Sequence, residues 1–160
     1  MPGKKEILAI YERQAETVYR VCYAYMKNVP EAEDMMQETF LRLLTWERTF
    51  ENERHEKAWL IVTASNLCKN QLKKWWRHNV PIEDYLVAEG PDTVVKGEVL
   101  DAIFRLPNDY KIVVYMHYYE GYTTAEIARH LKCAEGTVRS RLSRARKQLQ
   151  MMLGGVADDE

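Results

Sequence analysis

The sequence predicts an all-α protein of two small helical domains joined by a flexible acidic linker, the second of which is a helix-turn-helix domain. Three observations support this fold class. Apolar residues recur at steps of three and four over most of the chain, whereas no segment shows the strict alternation of a β-strand. A stretch rich in Pro, Gly and acidic residues separates two such regions. The length of 160 residues suits two small domains and excludes a large multidomain enzyme.

The first domain, residues 1–77, is predicted to contain three helices. Pro30 suits the first turn of the second helix, where its missing N–H is not needed. The charged segment 47–57 has no apolar rhythm and predicts a solvated loop or the entry of a helix, and the third helix runs over about 57–77. The expected core stripes are Leu8, Tyr11, Ala15, Val18, Cys22 and Tyr25, then Met36, Phe40, Leu43 and Leu44, then Leu60, Ala64, Leu67 and Leu72.

Residues 78–98 form the predicted linker, because they contain prolines, glycines and most of an acidic block. The second domain is then 99–153, and an acidic tail occupies 154–160. Within this domain we expect helices near 98–105 and 110–119, which precede the helix-turn-helix.

Thr123 and Glu126 have the spacing of a capping box, which predicts a short helix that ends at Leu131. A turn of a few residues containing Gly136 leads to the last helix, about 135–153. In a helix-turn-helix this second helix lies in the major groove of DNA. Ala134, at the N-cap position of that helix, lacks the side-chain oxygen that would accept a free N–H.

The polar surface of the last helix suits DNA binding. Arginine donates paired hydrogen bonds to guanine or phosphate. No acidic residue occurs from Thr137 to Leu153, whereas an ordinary solvated helix, which is the alternative, would mix Glu with Lys. The inward stripe is Val138, Leu142, Ala145, Leu149 and Met152, which leaves Arg139, Ser140, Arg141, Ser143, Arg144, Arg146 and Lys147 on the surface.

The net charge of −1 says little about partners, but its distribution along the chain is informative. Residues 57–80 hold five basic and no acidic side chains, and residues 105–153 hold nine basic and four acidic ones. Two basic segments separated by an acidic one indicate two surfaces that face a polyanion. The alternative is an ordinary fluctuation of charge.

The third predicted helix carries the first of these basic segments. Polar residues recur on this helix about once per turn and form one face, which includes Asn66, Lys69, Asn70, Lys73 and Arg77. Lysines among aromatic rings suit a protein that holds unstacked bases beside phosphates, and Trp59, Trp75 and Trp76 supply the rings. The alternative is that these rings pack in the core, which we expect for Trp59.

The sequence contains no catalytic or metal-binding pattern. The four histidines lack metal-ligand spacing, the adjacent acids suit solvation, and no Gly-rich phosphate loop occurs. We therefore expect no enzyme activity, no metal and no cofactor. The longest uncharged apolar stretch is too short to span a bilayer, and the first residues lack a secretion signal, so we expect a cytoplasmic protein without membrane insertion.

Three segments resemble, in order, the motifs of the extracytoplasmic-function (ECF) type of bacterial RNA polymerase sigma factor. They are PEAEDMMQETFLRLL, KAWLIVTASNLCKNQLKKWWR and LPNDYKIVVYMHYYEGYTTAEIARHLKCAEGTVRSRLSRARKQL. The resemblance covers most of residues 8–153. It implies a factor that binds core RNA polymerase, recognises the minus-thirty-five and minus-ten elements of promoter DNA, and promotes DNA melting to initiate transcription.

The resemblance also assigns residues to surfaces. The polymerase-binding residues are Asp34, Gln37, Glu38 and Phe40. Asn66, Lys69, Lys73 and Arg77 match the minus-ten helix, and together with Asn70 and Trp76 they form the expected minus-ten surface. The minus-thirty-five residues are Thr137, Arg139, Ser140, Arg141, Ser143 and Arg144.

Two further segments match parts of the family. Segment 47–56 resembles the loop that captures a flipped base, and the linker resembles the segment that enters the polymerase channel. The sequence departs from the family at Asn70, where many members have Asp, and at Ser65, where a basic residue is common.

Two other classes of protein remain as alternatives. A helix-turn-helix regulator that binds duplex DNA as a dimer needs neither the polymerase-binding face nor the acid-free third helix, and a nucleic-acid enzyme needs a catalytic constellation. Since no long C-terminal extension follows the last helix, we expect any control of this factor to come from a separate anti-sigma protein.

Overall fold

The computed structural model describes residues 3–46, 49–77 and 98–153, and these residues form two compact units on either side of the gap at 78–97. They contain helices and no strand, so the predicted all-α, two-domain class is confirmed. The predicted linker, apart from Glu98, and the predicted tail lie outside the described residues. The predicted domain limits therefore stay predictions.

The described residues of the first unit form three helices: α1 (Lys4–Met26), α2 (Val29–Leu44) and α3 (Glu53–Arg77). Each packs against the other two. The side chain of Asn28 accepts a hydrogen bond from the backbone N–H of Glu31 at 2.9 Å, which begins α2, and Pro30 lies in its first turn as predicted. The fully buried centre includes Val18, Cys22, Met26, Leu43, Leu60, Ile61 and Ala64.

The predicted core stripe is wrong at the start of α1. Leu8 and Tyr11 are 59% and 40% exposed, and Ile10 and Gln14 are buried in their place. Helix α1 contacts both α2 and α3, so its buried face is wider than one stripe and changes direction along the helix. The same cause leaves Leu44 exposed on α2 and buries Met35 more deeply than Met36.

Helix α3 begins at Glu53, four residues before the predicted start at Lys57. Asn52 accepts a hydrogen bond from the backbone N–H of His55 at 2.8 Å, as a residue ahead of a helix commonly does. Glu56 is buried and accepts hydrogen bonds from Arg13 at 2.8 and 3.2 Å and from the Gln14 amide at 2.9 Å. These bonds join the first turn of α3 to α1.

Four α-helices form the second unit: α4 (Glu98–Phe104), α5 (Asn108–Val114), α6 (Thr124–Leu131) and α7 (Glu135–Met152). The predicted capping box is confirmed, since Thr123 and Glu126 exchange side-chain to backbone hydrogen bonds of 3.1 and 2.9 Å. Ala134 precedes α7 without a side-chain cap, as predicted.

The turn between α6 and α7 differs from the prediction. Gly136 lies within the first turn of α7, and Lys132 adopts the left-handed conformation that ends α6, with φ of 59°. Its backbone N–H and that of Cys133 return to carbonyls in the last turn of α6, which satisfies groups that would otherwise lack partners.

A π-helical segment, Tyr115–Tyr119, continues α5 where the sequence predicts an α-helix to 119. The N–H of Glu120 bonds to the carbonyl of Tyr115 at 3.1 Å, and the Tyr115 hydroxyl donates to the Glu120 carboxylate at 2.8 Å. Gly121, with φ of 82°, then turns the chain toward α6. The wider turn is stabilised by stacking of Tyr115 on Tyr119, whose ring centroids lie 5.1 Å apart.

Candidate nucleic-acid interface

Helix α7 presents a polar surface to solvent along most of its length. Val138, Leu142 and Ala145 are buried as predicted, and Leu149 is half-buried. The predicted DNA-binding residues all keep some exposure. Arg139, Ser143 and Arg144 are exposed, and Thr137, Ser140 and Arg141 are half-buried.

The arginines of α7 fall into two groups by their contacts within the protein. Arg139 donates from Nη1 to Glu135 at 3.0 Å, and Arg146 donates from Nε to the Tyr118 hydroxyl at 3.1 Å. Arg146 also lies over the Tyr118 ring, 5.9 Å from its centroid. Arg141 and Arg144 have no hydrogen-bond or ion-pair partner in the described part of the chain. Their donors remain available to a polyanion.

Helix α3 presents its polar residues on one side. Successive helical residues are rotated by about 100°, so the predicted minus-ten residues fall within one arc, opposite Ile61, Ala64 and Cys68. All but Lys69, which is half-buried, are exposed, and Trp76 is 47% exposed. The members of this arc are Asn66, Lys69, Asn70, Lys73, Trp76 and Arg77.

Ser65, at a position where the family commonly has a basic residue, faces the protein interior. It is buried, and its hydroxyl shares a hydrogen bond of 2.7 Å with the Tyr25 hydroxyl of α1. In this chain the position therefore belongs to the core of the first unit and not to the solvent-facing arc of α3.

An aromatic corner lies at the junction of α2, the following loop and α3. The centroids of Trp46 and Trp59 are 4.9 Å apart, and Phe50 lies 6.1 and 5.7 Å from them. The loop that precedes α3 is bonded to the first turn of that helix, since the N–H of Glu51 donates to Nδ1 of His55 at 3.0 Å. Trp59 thus packs as expected, against two rings that helical spacing alone does not place beside it. Residues 47 and 48 of the predicted base-capturing segment lie outside the described residues.

The predicted polymerase-binding residues also lie together. Asp34, Gln37 and Glu38 are exposed on one face of α2. Phe40 is buried beneath them and packs edge-on against Tyr11 with centroids 4.9 Å apart.

Two features of this face were not expected. Leu41, three residues after Glu38, shares the same face and is 52% exposed, a neighbour that spacing along the helix could have identified. Burial raises the pKa of the Glu31 carboxyl, and the charge of Asp34 raises it further.

Within residues 3–46, 49–77 and 98–153, no cluster of three or more His, Cys, Asp or Glu side chains could hold a metal ion. No helix among these residues is long and apolar enough to cross a membrane.

Comparison with known protein families gives one match in each unit. Sigma-70 region 2 matches residues 10–78, and Sigma-70, region 4 matches residues 96–149. The two matches together cover most of the chain and include every predicted site residue.

Similar proteins are ECF RNA polymerase sigma factors, and the similarity extends over most of their length. The chain is 30% identical to the ECF RNA polymerase sigma factor SigL of Mycobacterium tuberculosis, over 91% of this chain and 87% of that protein. It is 29% identical to the ECF RNA polymerase sigma factor SigW of Bacillus subtilis, over 92% of this chain and 87% of that protein.

Among solved structures, the sigma factor RpoE in complex with the anti-sigma factor NepR, from Bartonella quintana, is similar with a TM-score of 0.66. The two chains are 23% identical, and the match covers 96% of this chain and 98% of that one. This similarity is one of fold.

Proposed function

The chain belongs to the ECF type of RNA polymerase sigma factor, and from that premise we propose that its two units divide promoter recognition between them. The chain is a transcription initiation factor that acts with RNA polymerase at promoters, and it is not an enzyme. We assign each step to particular side chains.

The second unit binds the minus-thirty-five element as a duplex. Helix α7 enters the major groove while α6 crosses above it, as in other helix-turn-helix proteins. Arg141 and Arg144, whose donors are not used within the described part of the chain, make the strongest contacts to bases or phosphates. The shorter side chains of Thr137, Ser140 and Ser143 supply further hydrogen bonds beside these arginines.

The first unit binds the minus-ten element while its strands separate. The basic arc of α3 follows the phosphates at the upstream edge, and Trp76 provides a flat surface for a base. The loop beside the aromatic corner accepts a flipped base. Base extrusion costs a few kcal/mol, so binding of the extruded base favours the melted state without nucleotide hydrolysis.

The exposed acids of α2 bind core RNA polymerase. Asp34 and Glu38 attract a basic surface of the partner, Gln37 donates and accepts hydrogen bonds, and Leu41 adds an apolar contact at their centre. Phe40, packed on Tyr11, fixes the position of this part of α2.

The single observation that supports this division is that each of the two units presents a helix face rich in exposed basic side chains. The test is to mix the full chain with bacterial core RNA polymerase and to transcribe a genomic library, with core polymerase alone as the control. Stoichiometric binding and new start sites, each preceded by two fixed elements, are expected. A chain that ignores polymerase and binds duplex DNA as a dimer would instead be a stand-alone regulator.

From the same premise we propose that the protein acts in the cytoplasm, together with RNA polymerase. An anti-sigma protein is the expected regulator, because a partner that covers α2 and α3 would block both polymerase and DNA.

A further inference from the structure

Glu135 is the acidic residue of an otherwise acid-free helix face. It lies in the first turn of α7, the part of a recognition helix that approaches base edges most closely. Its carboxylate oxygen Oε2 accepts a hydrogen bond from Thr124 Oγ1 at 2.6 Å and from Arg139 Nη1 at 3.0 Å. The side chains of Glu135 and Arg139 are 43% and 61% exposed, so both remain accessible to a partner.

An acid at this position weakens binding to DNA phosphates and adds only a little to the stability of the fold. A carboxylate beside phosphates repels them and weakens binding that depends on charge alone. An exposed ion pair one helical turn apart contributes little to folding. The hydrogen bond from Thr124 of α6 nevertheless fixes where the carboxylate lies.

We propose that Glu135 is a positioning residue that gives Arg139 a preference for guanine at one position of the minus-thirty-five element. This inference rests on the proposed function of the second unit.

The chemistry follows from the donors of the guanidinium group. Arginine has five N–H donors in a rigid plane, and the bond from Nη1 to Glu135 leaves Nη2 and Nε for O6 and N7 of guanine. With Glu135 in place, Arg139 cannot swing freely to the phosphates, because its plane is fixed by Glu135 and, through Glu135, by Thr124. Loss of Glu135 frees Arg139 to bind phosphates of any sequence, whereas loss of the Thr124 hydrogen bond leaves the Glu135–Arg139 pair intact but less firmly placed.

The experiment measures base preference at every position of a randomised minus-thirty-five duplex, using the full chain assembled with core RNA polymerase. Arg139→Ala identifies the position that Arg139 contacts, since its guanine preference disappears. Glu135→Gln removes the charge and preserves the shape. Thr124→Val leaves all charges in place and removes only the hydrogen bond that holds the carboxylate. Asp109→Asn, at an exposed acid elsewhere in the second unit, is the control for loss of one negative charge.

We expect Glu135→Gln to reduce guanine preference at that position by about tenfold, the effect of losing one well-oriented paired contact. Binding to unrelated duplex should rise at low salt. Thr124→Val should reduce the same preference by about threefold without that rise. Asp109→Asn should leave the preference unchanged.

Two results would overturn the proposal alone: an unchanged guanine preference in Glu135→Gln, or an Arg139→Ala variant that alters no position. A wild-type complex that shows no base preference at all would contradict the proposed function itself, and this inference would fail with it. Circular dichroism of each variant separates these outcomes from a failure to fold.

Discussion

Glu56 and Glu135 occupy corresponding places in the two units, and their surroundings differ. Each lies in the first turn of the long helix that carries the proposed DNA-binding face of its unit, and each bonds to an arginine. Glu56 is buried, and its partners belong to another helix, α1. Glu135 is partly exposed, and its arginine is one turn further along α7.

The difference shows what a carboxylate does at each depth. A buried acid requires hydrogen bonds to replace water, so Glu56 fixes the position of one helix against another. An exposed acid adds little to stability, so Glu135 acts on the direction of one side chain. Substitutions should therefore affect the fold in the first case and recognition in the second.

The largest effect is expected from the exposed acids of α2, whose proposed partner is core RNA polymerase. Asp34→Lys combined with Glu38→Lys should abolish association with core RNA polymerase, since like charges at an interface cost several kcal/mol. Circular dichroism should show an unchanged fold, because both side chains are exposed. Pull-down with purified polymerase is the measurement, and Glu16→Lys, at an exposed acid of α1, is the matched control. Normal association of the double variant would remove these residues from the interface.

The buried acid gives the next largest effect. Glu56→Ala should lower the free energy of unfolding by about 2–3 kcal/mol, because it removes the acceptor of the buried Gln14 amide and the carboxylate that accepts two hydrogen bonds from Arg13. Glu135→Ala should lower it by less than about 1 kcal/mol. Urea denaturation followed by circular dichroism measures both. Equal losses would refute the contrast between the two acids.

The arginines of α7 test a similar contrast, between Arg146, which bonds to another side chain of the protein, and Arg141 and Arg144, which have no such partner in the described residues. Arg141→Ala or Arg144→Ala should weaken binding to the minus-thirty-five duplex by about 1–3 kcal/mol. Arg146→Ala should weaken binding to this duplex by less, because Arg146 already donates to Tyr118. Footprinting with the assembled polymerase is the measurement. A residue whose loss leaves the footprint unchanged does not contact DNA.

The smallest effect concerns the backbone beside Glu135. Gly136 lies in the first turn of α7, and, apart from its chain neighbours and the backbone of the helix itself, nothing lies within 4 Å of the position that an added methyl group would occupy. Gly136→Ala should therefore stabilise the unit by about 0.5–1 kcal/mol. Gly121→Ala, at a φ of 82°, should destabilise it by about 1 kcal/mol. Thermal denaturation distinguishes the two, and a loss of stability in both would show that Gly136 is needed by the fold.

Local sequence signals predicted the parts of this fold that depend on neighbours in the chain. Thr123 and Glu126 cap α6 as expected, and Val138, Leu142 and Ala145 are buried. These features follow from helical periodicity and short-range hydrogen bonds, which a sequence displays directly.

The features that were missed depend on side-chain contacts that the apolar periodicity of the sequence does not display. Gln14 is buried where it donates to Glu56, which is more than forty residues away along the chain. The early start of α3 has a local signal, Asn52, which accepts a hydrogen bond from the backbone N–H of His55. The π-helical segment depends on Tyr115, Tyr119 and Glu120 meeting in three dimensions. Helical spacing in the sequence was enough to place the candidate site residues of α2, α3 and α7 on common helix faces. Their roles in binding remain predictions from the family resemblance.

All four tryptophans of the chain, Trp46, Trp59, Trp75 and Trp76, belong to the first unit. The second unit absorbs near 280 nm mainly through tyrosine, so excitation at wavelengths that tyrosine does not absorb yields emission from the first unit alone. Intrinsic fluorescence can therefore follow the melting of one half of the intact molecule without a label. Comparison with the circular dichroism of the whole chain would then show whether the two halves melt together or separately.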